Sequence, residues 1–223
     1  MDGGNFDVVP FCGSPIAKIK SSYVLNDREL DYFYSYPLEK DNETVRMTIQ
    51  GKVLENTITE TFKNYLLKIG ERYRNEVLGI KDNVYITHSW LTKNSKGSSH
   101  NSHTHPNIFF SMVYYIKSNS GDLLFNVPKS VLQKIFNFDY DVVNYNPYNS
   151  TEWYMPVNTG DIICFPGDIV HSTTPNLDDE DRMALGVNFF IKGEIGKDDN
   201  YARINIWQKY FVSAMVRVEK VLI

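Results

Sequence analysis

Cysteine is nearly absent from this chain: Cys12 and Cys164 are the only two in 223 residues. Two thiols cannot build a disulfide framework, and neither belongs to a CxxC pair, so a stapled secreted scaffold and a thiolate metal knuckle are both excluded. Two buried free thiols in a reducing cytosol are expected instead. Charge of one sign is scarce as well. The formal net charge is −4, with no long run of either sign. That argues against a nucleic-acid partner, which would need a basic face, and leaves only a local basic groove open. Apolar runs are short, none reaching the ~20 residues that a membrane-crossing helix needs. The opening segment "MDGGNFDVVPFCGSP" lacks the basic start and apolar stretch of a secretion signal. A cytoplasmic protein with no membrane association is therefore expected. Repeats and low-complexity linkers are also missing, so residues 1–223 read as a single domain.

What is present is a sizeable core in the making. Hydrophobic residues make up 42% of the chain and aromatics 14%, which suits a β-rich interior. The first third has helical texture. Asn26 stands three residues before Glu29 in "NDRELDYFYSY", the spacing of a helix-capping pair. Ile58, Phe62, Leu66, Ile69, Tyr73 and Val77 recur at steps of three and four, one stripe of a helix over about Asn56–Val77. Helical support is thus expected mainly over 24–80, after an opening strand at "IAKIK". Beyond it the pattern switches to short β-forming runs: "NVYITHSWL", "IFFSMVYYI", "GDLLFNV", "EWYMPV", "DIICFP" and "RMALGVNFFI". A mostly β fold with supporting helices follows, an antiparallel sandwich or open barrel with its core over about 84–191. "NFDYDVVNYNPYNST" reads as a long loop, and the C-terminal "IWQKYFVSAMVRVEKVLI" fits helix or strand equally.

Histidine is the informative minority, with five in the chain. His103 and His105 lie two apart in "NSHTHPNIFFSMVYYI", so on extended backbone they point to one side and can reach one metal ion. His171 follows a Gly-Asp turn, a short apolar strand and a Pro-Gly-Asp turn in "NTGDIICFPGDIVHSTTPN". Arg182 then heads an alternating strand; if it faces inward, so do Ala184, Gly186 and Asn188. An arginine beside small residues has space to bind a ligand carboxylate bidentately. Each feature alone is weak: an HxH is often a polar loop, and Arg182 could be a surface charge after "DDED". Their order along the chain is the stronger signal. His88 sits mid-strand and reads as structural; His100, three before His103, is a spare ligand candidate.

From about Val84 to Ile191 the chain resembles the iron(II)- and 2-oxoglutarate-dependent dioxygenases, in particular the prolyl-4-hydroxylase-like branch. "HTHPN" with "SMVYYI", "FPGDIVHSTTP" and "RMALGVNFF" carry the resemblance, in that order. It implies a double-stranded β-helix, a jelly-roll core like that of the cupins. It also implies an Fe(II), 2-oxoglutarate and O2 requirement with ascorbate as a reductant, and hydroxylation of a peptide side chain or small metabolite with release of succinate and CO2. His103, His105 and His171 would be the metal ligands. Arg182 would pair with the distal carboxylate of 2-oxoglutarate, with Tyr115, Ser111 and Asn188 as further cosubstrate contacts. Residues 103, 105, 111 and 115 share one parity, as inward positions on one extended segment should if no bulge intervenes.

The chain departs from the family at His105, which stands where a carboxylate is usual. A neutral imidazole there removes one negative charge from around the metal, and three histidines also suit zinc. Two rivals follow. In a cupin-type metal enzyme or binding protein, "GDIICFPGDIVH" would be the second motif. The first such motif, however, wants a glutamate where Phe109 and Phe110 stand. In a metal-free sandwich acting as a binding module, the three histidines would be coincidence.

Overall fold

Alternation along three long strands decides the architecture. A computed structural model describes residues 13–40, 45–136, 138–196 and 204–206. In chain order the elements are β1 (Ala17–Lys20), α1 (Asp27–Ser35), β2 (Glu39–Lys40), β3 (Val45–Met47), α2 (Glu60–Arg72), β4 (Val84–Asn94), β5 (Phe110–Lys117) and β6 (Asp122–Asn126). They continue with α3 (Val131–Phe136), β7 (Glu152–Pro156), β8 (Asp161–Pro166), β9 (Val170–Thr173), β10 (Arg182–Ile191), β11 (Gly193–Ile195) and β12 (Ile204–Ile206). The seven-stranded major sheet runs β1-β8-β5-β10-β4-β3-β2, and a three-stranded minor sheet runs β7-β6-β9. All the pairings are antiparallel. The two sheets face each other as a double-stranded β-helix.

The helices form as their residues dictate. Asn26 Oδ1 accepts from the Glu29 N–H while Glu29 Oε2 accepts from the Asn26 N–H, a complete capping box on α1. A 3₁₀ turn (Thr57–Thr59), capped by the Asn56 side chain, leads into α2. Phe62, Leu66, Ile69 and Tyr73 are buried as the stripe requires, but Val77 is 46% exposed. The cause is a π turn over Tyr73–Val77, whose Leu78 N–H donates to the Tyr73 carbonyl five residues back. That wider turn rotates the last apolar residue out of the stripe.

Period two then sorts the strands. Phe110, Met112, Tyr114 and Ile116 of β5, with Met183, Leu185, Val187 and Phe189 of β10, join the core that packs beneath α1 and α2. Tyr115 and Ala184 face the other way, into a second cluster between the sheets with Leu123, Phe125, Ile163 and Phe165. Asp161, buried at the start of β8, ties that strand to β1 through Lys18 (3.0 Å) and Lys20 (3.3 Å). Cys164 is buried and free, and burial pushes its thiol up to about 12, so it is inert as expected. Cys12 and all but the first residue of the C-terminal segment lie outside the described residues. The Tyr- and Asn-rich segment forms no helix or strand over 138–151. Among the described residues no helix is long and apolar enough to cross a membrane.

Candidate metal centre and its two cavities

The histidines meet where the two sheets meet. His103 and His171 form an isolated antiparallel bridge, each backbone N–H donating to the other's carbonyl at 3.0 Å. This extends the edge of the minor sheet beyond β9. The His105 N–H donates to the Gly167 carbonyl at 2.8 Å, which fixes the next step of the same segment. As a result the ligand-capable atoms of His103, His105 and His171 lie within 4.8 Å of one another. His103 Nε2 and His105 Nε2 are 3.1 Å apart. Two imidazole nitrogens each about 2.1 Å from one ion, at ~90–110° to each other, would be separated by about 3–3.4 Å.

Outer hydrogen bonds fix which nitrogen of each ring points inward. His103 Nδ1 faces the Asn101 carbonyl (2.8 Å) and His171 Nδ1 the Ile169 carbonyl (2.9 Å). Both acceptors can take only a proton, so Nδ1 carries the hydrogen and Nε2 presents a lone pair. His105 Nδ1 faces Asn188 Oδ1 at 3.0 Å and also contacts Ser111 Oγ, which itself donates to Asn188 Oδ1 at 2.6 Å. Three lone pairs therefore converge, with every Nδ1 engaged by an acceptor, the arrangement of metal-ligating histidines. Burial depresses His105 to about 4 and His171 to about 3, with His103 adding to both shifts, so both rings are neutral near pH 7. Trp90 stands edge-on to His105 and Phe165 edge-on to His171, their ring centroids 5.1 and 4.6 Å away. The donor set fits a borderline metal ion, and no carboxylate belongs to the group. Asp122, the first residue of β6, is not part of it.

Two cavities open from this cluster. The inner one, about 50 Å³, runs between the sheets and is lined by Val113, Tyr115, Arg182, Ala184 and Gly186. Arg182 is 3% exposed. Its Nη2 donates to Thr173 Oγ1 (2.8 Å) and to the Thr174 carbonyl (3.1 Å), while Nη1 has no partner. Among the described residues it makes no ion pair. Burial lowers its pKa, against the pull of Tyr115 and Asp122. Tyr115 is fully enclosed, and burial pushes its phenol well above the ordinary range while Arg182 opposes the shift. A buried cation without an anion costs several kcal/mol, so this pocket is built to receive a negative group.

The outer cavity, about 940 Å³, is bounded by β4, the β3–α2 connection and the loop after His105; its walls include Glu55, Tyr85, His88 and Asn107. His100 borders both cavities, its ring 4.6 Å from that of His103, but it is not one of the three converging histidines. His88 is exposed on the wall of the outer cleft.

Most predicted site residues are brought together. Their shared parity survives because β5 runs regularly from Phe110 to Tyr115; the irregularity against β10 falls after Tyr115. Ser111 and Asn188, however, gather around His105 and do not line the cavity that holds Arg182. Trp90, Thr92 and Thr173 line the inner cavity and were not anticipated. Their signal is the pairing of β4 with β10, Gly186 opposite Trp90 and Ala184 opposite Thr92, which no local pattern reveals. Gly186 is needed there: a Cβ would fall 2.3 Å from the Trp90 ring.

Comparisons with known proteins point the same way. Residues 88–188 match the family model described as putative 2OG-Fe(II) oxygenase. No curated protein matches the sequence. Among solved structures, the chain is similar to an oxidoreductase of the 2OG-Fe(II) oxygenase family from Burkholderia pseudomallei. The TM-score is 0.55 at 14% identity, over 79% of this chain and 84% of that one. HygX from Streptomyces hygroscopicus, solved with nickel and 2-oxoglutarate bound, matches at TM-score 0.57 and 10% identity, covering 80% of this chain and 84% of its own. A Pseudomonas putida prolyl-4-hydroxylase matches at 0.52 and 12%, over 81% and 94%. At such identities the structures attest the fold, and the family model attests the stretch that holds the three histidines. That stretch, folded into a three-histidine cluster between the sheets of a double-stranded β-helix, is what this chain shares with the 2OG-Fe(II) oxygenase family model.

Proposed function

We propose that this protein hydroxylates an organic substrate, a peptide side chain or a small metabolite, with release of succinate and CO2. In this reading His103, His105 and His171 hold one Fe(II) through Nε2, and Arg182 with Tyr115 takes the distal carboxylate of 2-oxoglutarate in the inner cavity. The observation that carries it is a conjunction. Three imidazole nitrogens converge beside a narrow cavity, and a buried guanidinium with an unpartnered N–H lines the same cavity. Fe(II) with 2-oxoglutarate and O2 supplies the oxidising power for attack on a C–H bond. The chain's own residues do the rest. Asn188 and Ser111 hold the His105 ring in place. Trp90 and Phe165 keep water from the ligand nitrogens. Arg182 supplies the charge that a dicarboxylate needs, and Tyr115 a neutral phenol beside it. The outer cleft, with room for a large molecule, receives the substrate.

The test is cosubstrate binding. Anaerobic Fe(II) protein titrated with 2-oxoglutarate is expected to develop the weak visible band of a chelated keto acid, and in air to form succinate. Arg182→Ala is expected to weaken this binding by about 2–4 kcal/mol, the scale of removing one partner of a buried charge pair. Wild-type protein that binds Fe(II) but gives neither band nor succinate would favour the cupin-type reading, in which Arg182 has no task.

A further inference from the structure

Among the described residues just two buried side-chain nitrogen or oxygen atoms lack a hydrogen-bond partner, Arg182 Nη1 and Asn94 Nδ2. They are neighbours. Asn94 is the last residue of β4 and pairs directly with Arg182, the first of β10. Directly opposed residues of antiparallel strands put their side chains on one face, with Cβ atoms about 4.5–5.5 Å apart. Both residues line the inner cavity, and both are 3% exposed. Water cannot freely reach either donor. The Asn94 backbone is itself pinned, because its carbonyl accepts from Asn176 Nδ2 at 3.1 Å.

An unsatisfied buried amide is destabilising, and an apolar residue of similar shape would avoid that cost. Two such donors, on directly paired residues that line one cavity and one of them cationic, share a single complement. A carboxylate offers two oxygens with about four lone-pair directions, enough for Nη1 and Nδ2 together. A monoatomic anion could neutralise Arg182 but would not satisfy two donors spaced across a strand pair in the same way.

We propose that Asn94 is a second, uncharged donor to the distal carboxylate of the keto-acid cosubstrate, and that it makes the site selective for a dicarboxylate. The inference rests on the 2-oxoglutarate reading above. Arg182 supplies the charge, and Asn94 sets where the second carboxylate oxygen must lie, hence the length of chain between keto group and carboxylate.

Calorimetric titration of the Ni(II)-loaded protein tests this without turnover. The two ligands are 2-oxoglutarate and 2-oxopentanoate, the keto acid of equal chain length that lacks the distal carboxylate. Asn94→Ala is expected to bind 2-oxoglutarate about tenfold more weakly, a loss typical of one hydrogen bond to a charged group, and to bind 2-oxopentanoate as wild type does. Asn94→Asp keeps the shape but places a carboxylate against Arg182; 2-oxoglutarate affinity is expected to fall about a hundredfold or more. Ni(II) affinity, unchanged in both variants, checks that each has folded. If both variants bind 2-oxoglutarate like wild type while Arg182→Ala does not, Asn94 has no such role and the proposal fails alone. If both keto acids weaken equally in Asn94→Ala, the residue is merely structural. Wild-type protein that binds neither keto acid overturns the cosubstrate reading, and this inference with it.

Discussion

The two cavities that share the histidine cluster are built on opposite principles. The inner one is walled almost wholly by strand residues that alternate with core positions, and its polar end is a buried arginine. The outer one is nearly twenty times larger, about 940 against 50 Å³, and much of its wall is loop and exposed side chain. Rigid walls suit a ligand that never changes, and open walls suit one that differs between relatives of the same fold. The difference teaches where specificity for each ligand resides. If the inner cavity takes the cosubstrate as proposed, its selection is part of the core and altering it alters packing, whereas the outer cleft can change without touching the fold.

The largest effect should come from the junction itself. His171→Ala removes the most buried of the three proposed ligands, and Fe(II) affinity should drop by about a hundredfold or more in competition with a chelator. At His105 the prediction is a ranking: His105→Asp, which restores a charge that favours a dication, should retain more Fe(II) than His105→Ala. His100→Ala should stay near wild type. If His100→Ala loses the metal and His105→Ala keeps it, the ligand set is wrong and the two cavities do not meet at this cluster.

An intermediate effect should come from Gly121, which touches the inner cavity only through Arg182. Its φ is +84°, a region costly for any other residue, and a Cβ there would fall 2.3 Å from Arg182 Nη1. Gly121→Ala should therefore push the guanidinium off its axis and weaken 2-oxoglutarate binding about tenfold, with Fe(II) affinity unchanged. Unaltered cosubstrate affinity in that variant would mean that Arg182 is not held as tightly as a rigid inner wall requires.

The smallest effect belongs to the outer cleft. Glu55 and His88 are exposed on its wall. Glu55→Gln and His88→Ala should leave Fe(II) and 2-oxoglutarate affinities within about twofold of wild type, because exposed groups that touch neither ligand act weakly on both. A larger loss in either would show that the two cavities are coupled and would remove the contrast drawn between them.

The inner half of the site was legible because strands impose a short period. Once His103 was set inward, parity carried the reading to Tyr115, and from Arg182 it carried it to Ala184 and Gly186, all of which line the cavity. The capping box on α1 and the stripe of α2 were local patterns too, and the stripe failed only at Val77, where the π turn breaks the period. Parity could not say how far along the barrel a residue sits. Ser111 and Asn188 share the inward face, yet they stand beside His105 and not in the cavity of Arg182.

By itself, then, the sequence determined the alternation that divides two cores, the helix caps, and the order of histidine, histidine and arginine along the chain. These depend on neighbours within a few residues, where backbone geometry is periodic. Tertiary structure alone decided that His103 pairs with His171, and that Asn94 lies opposite Arg182. It also decided that a large cleft opens beside Trp90. Those are matters of cross-strand register between segments some seventy to ninety residues apart in the chain, and register is set by the packing of whole sheets, not by any local pattern.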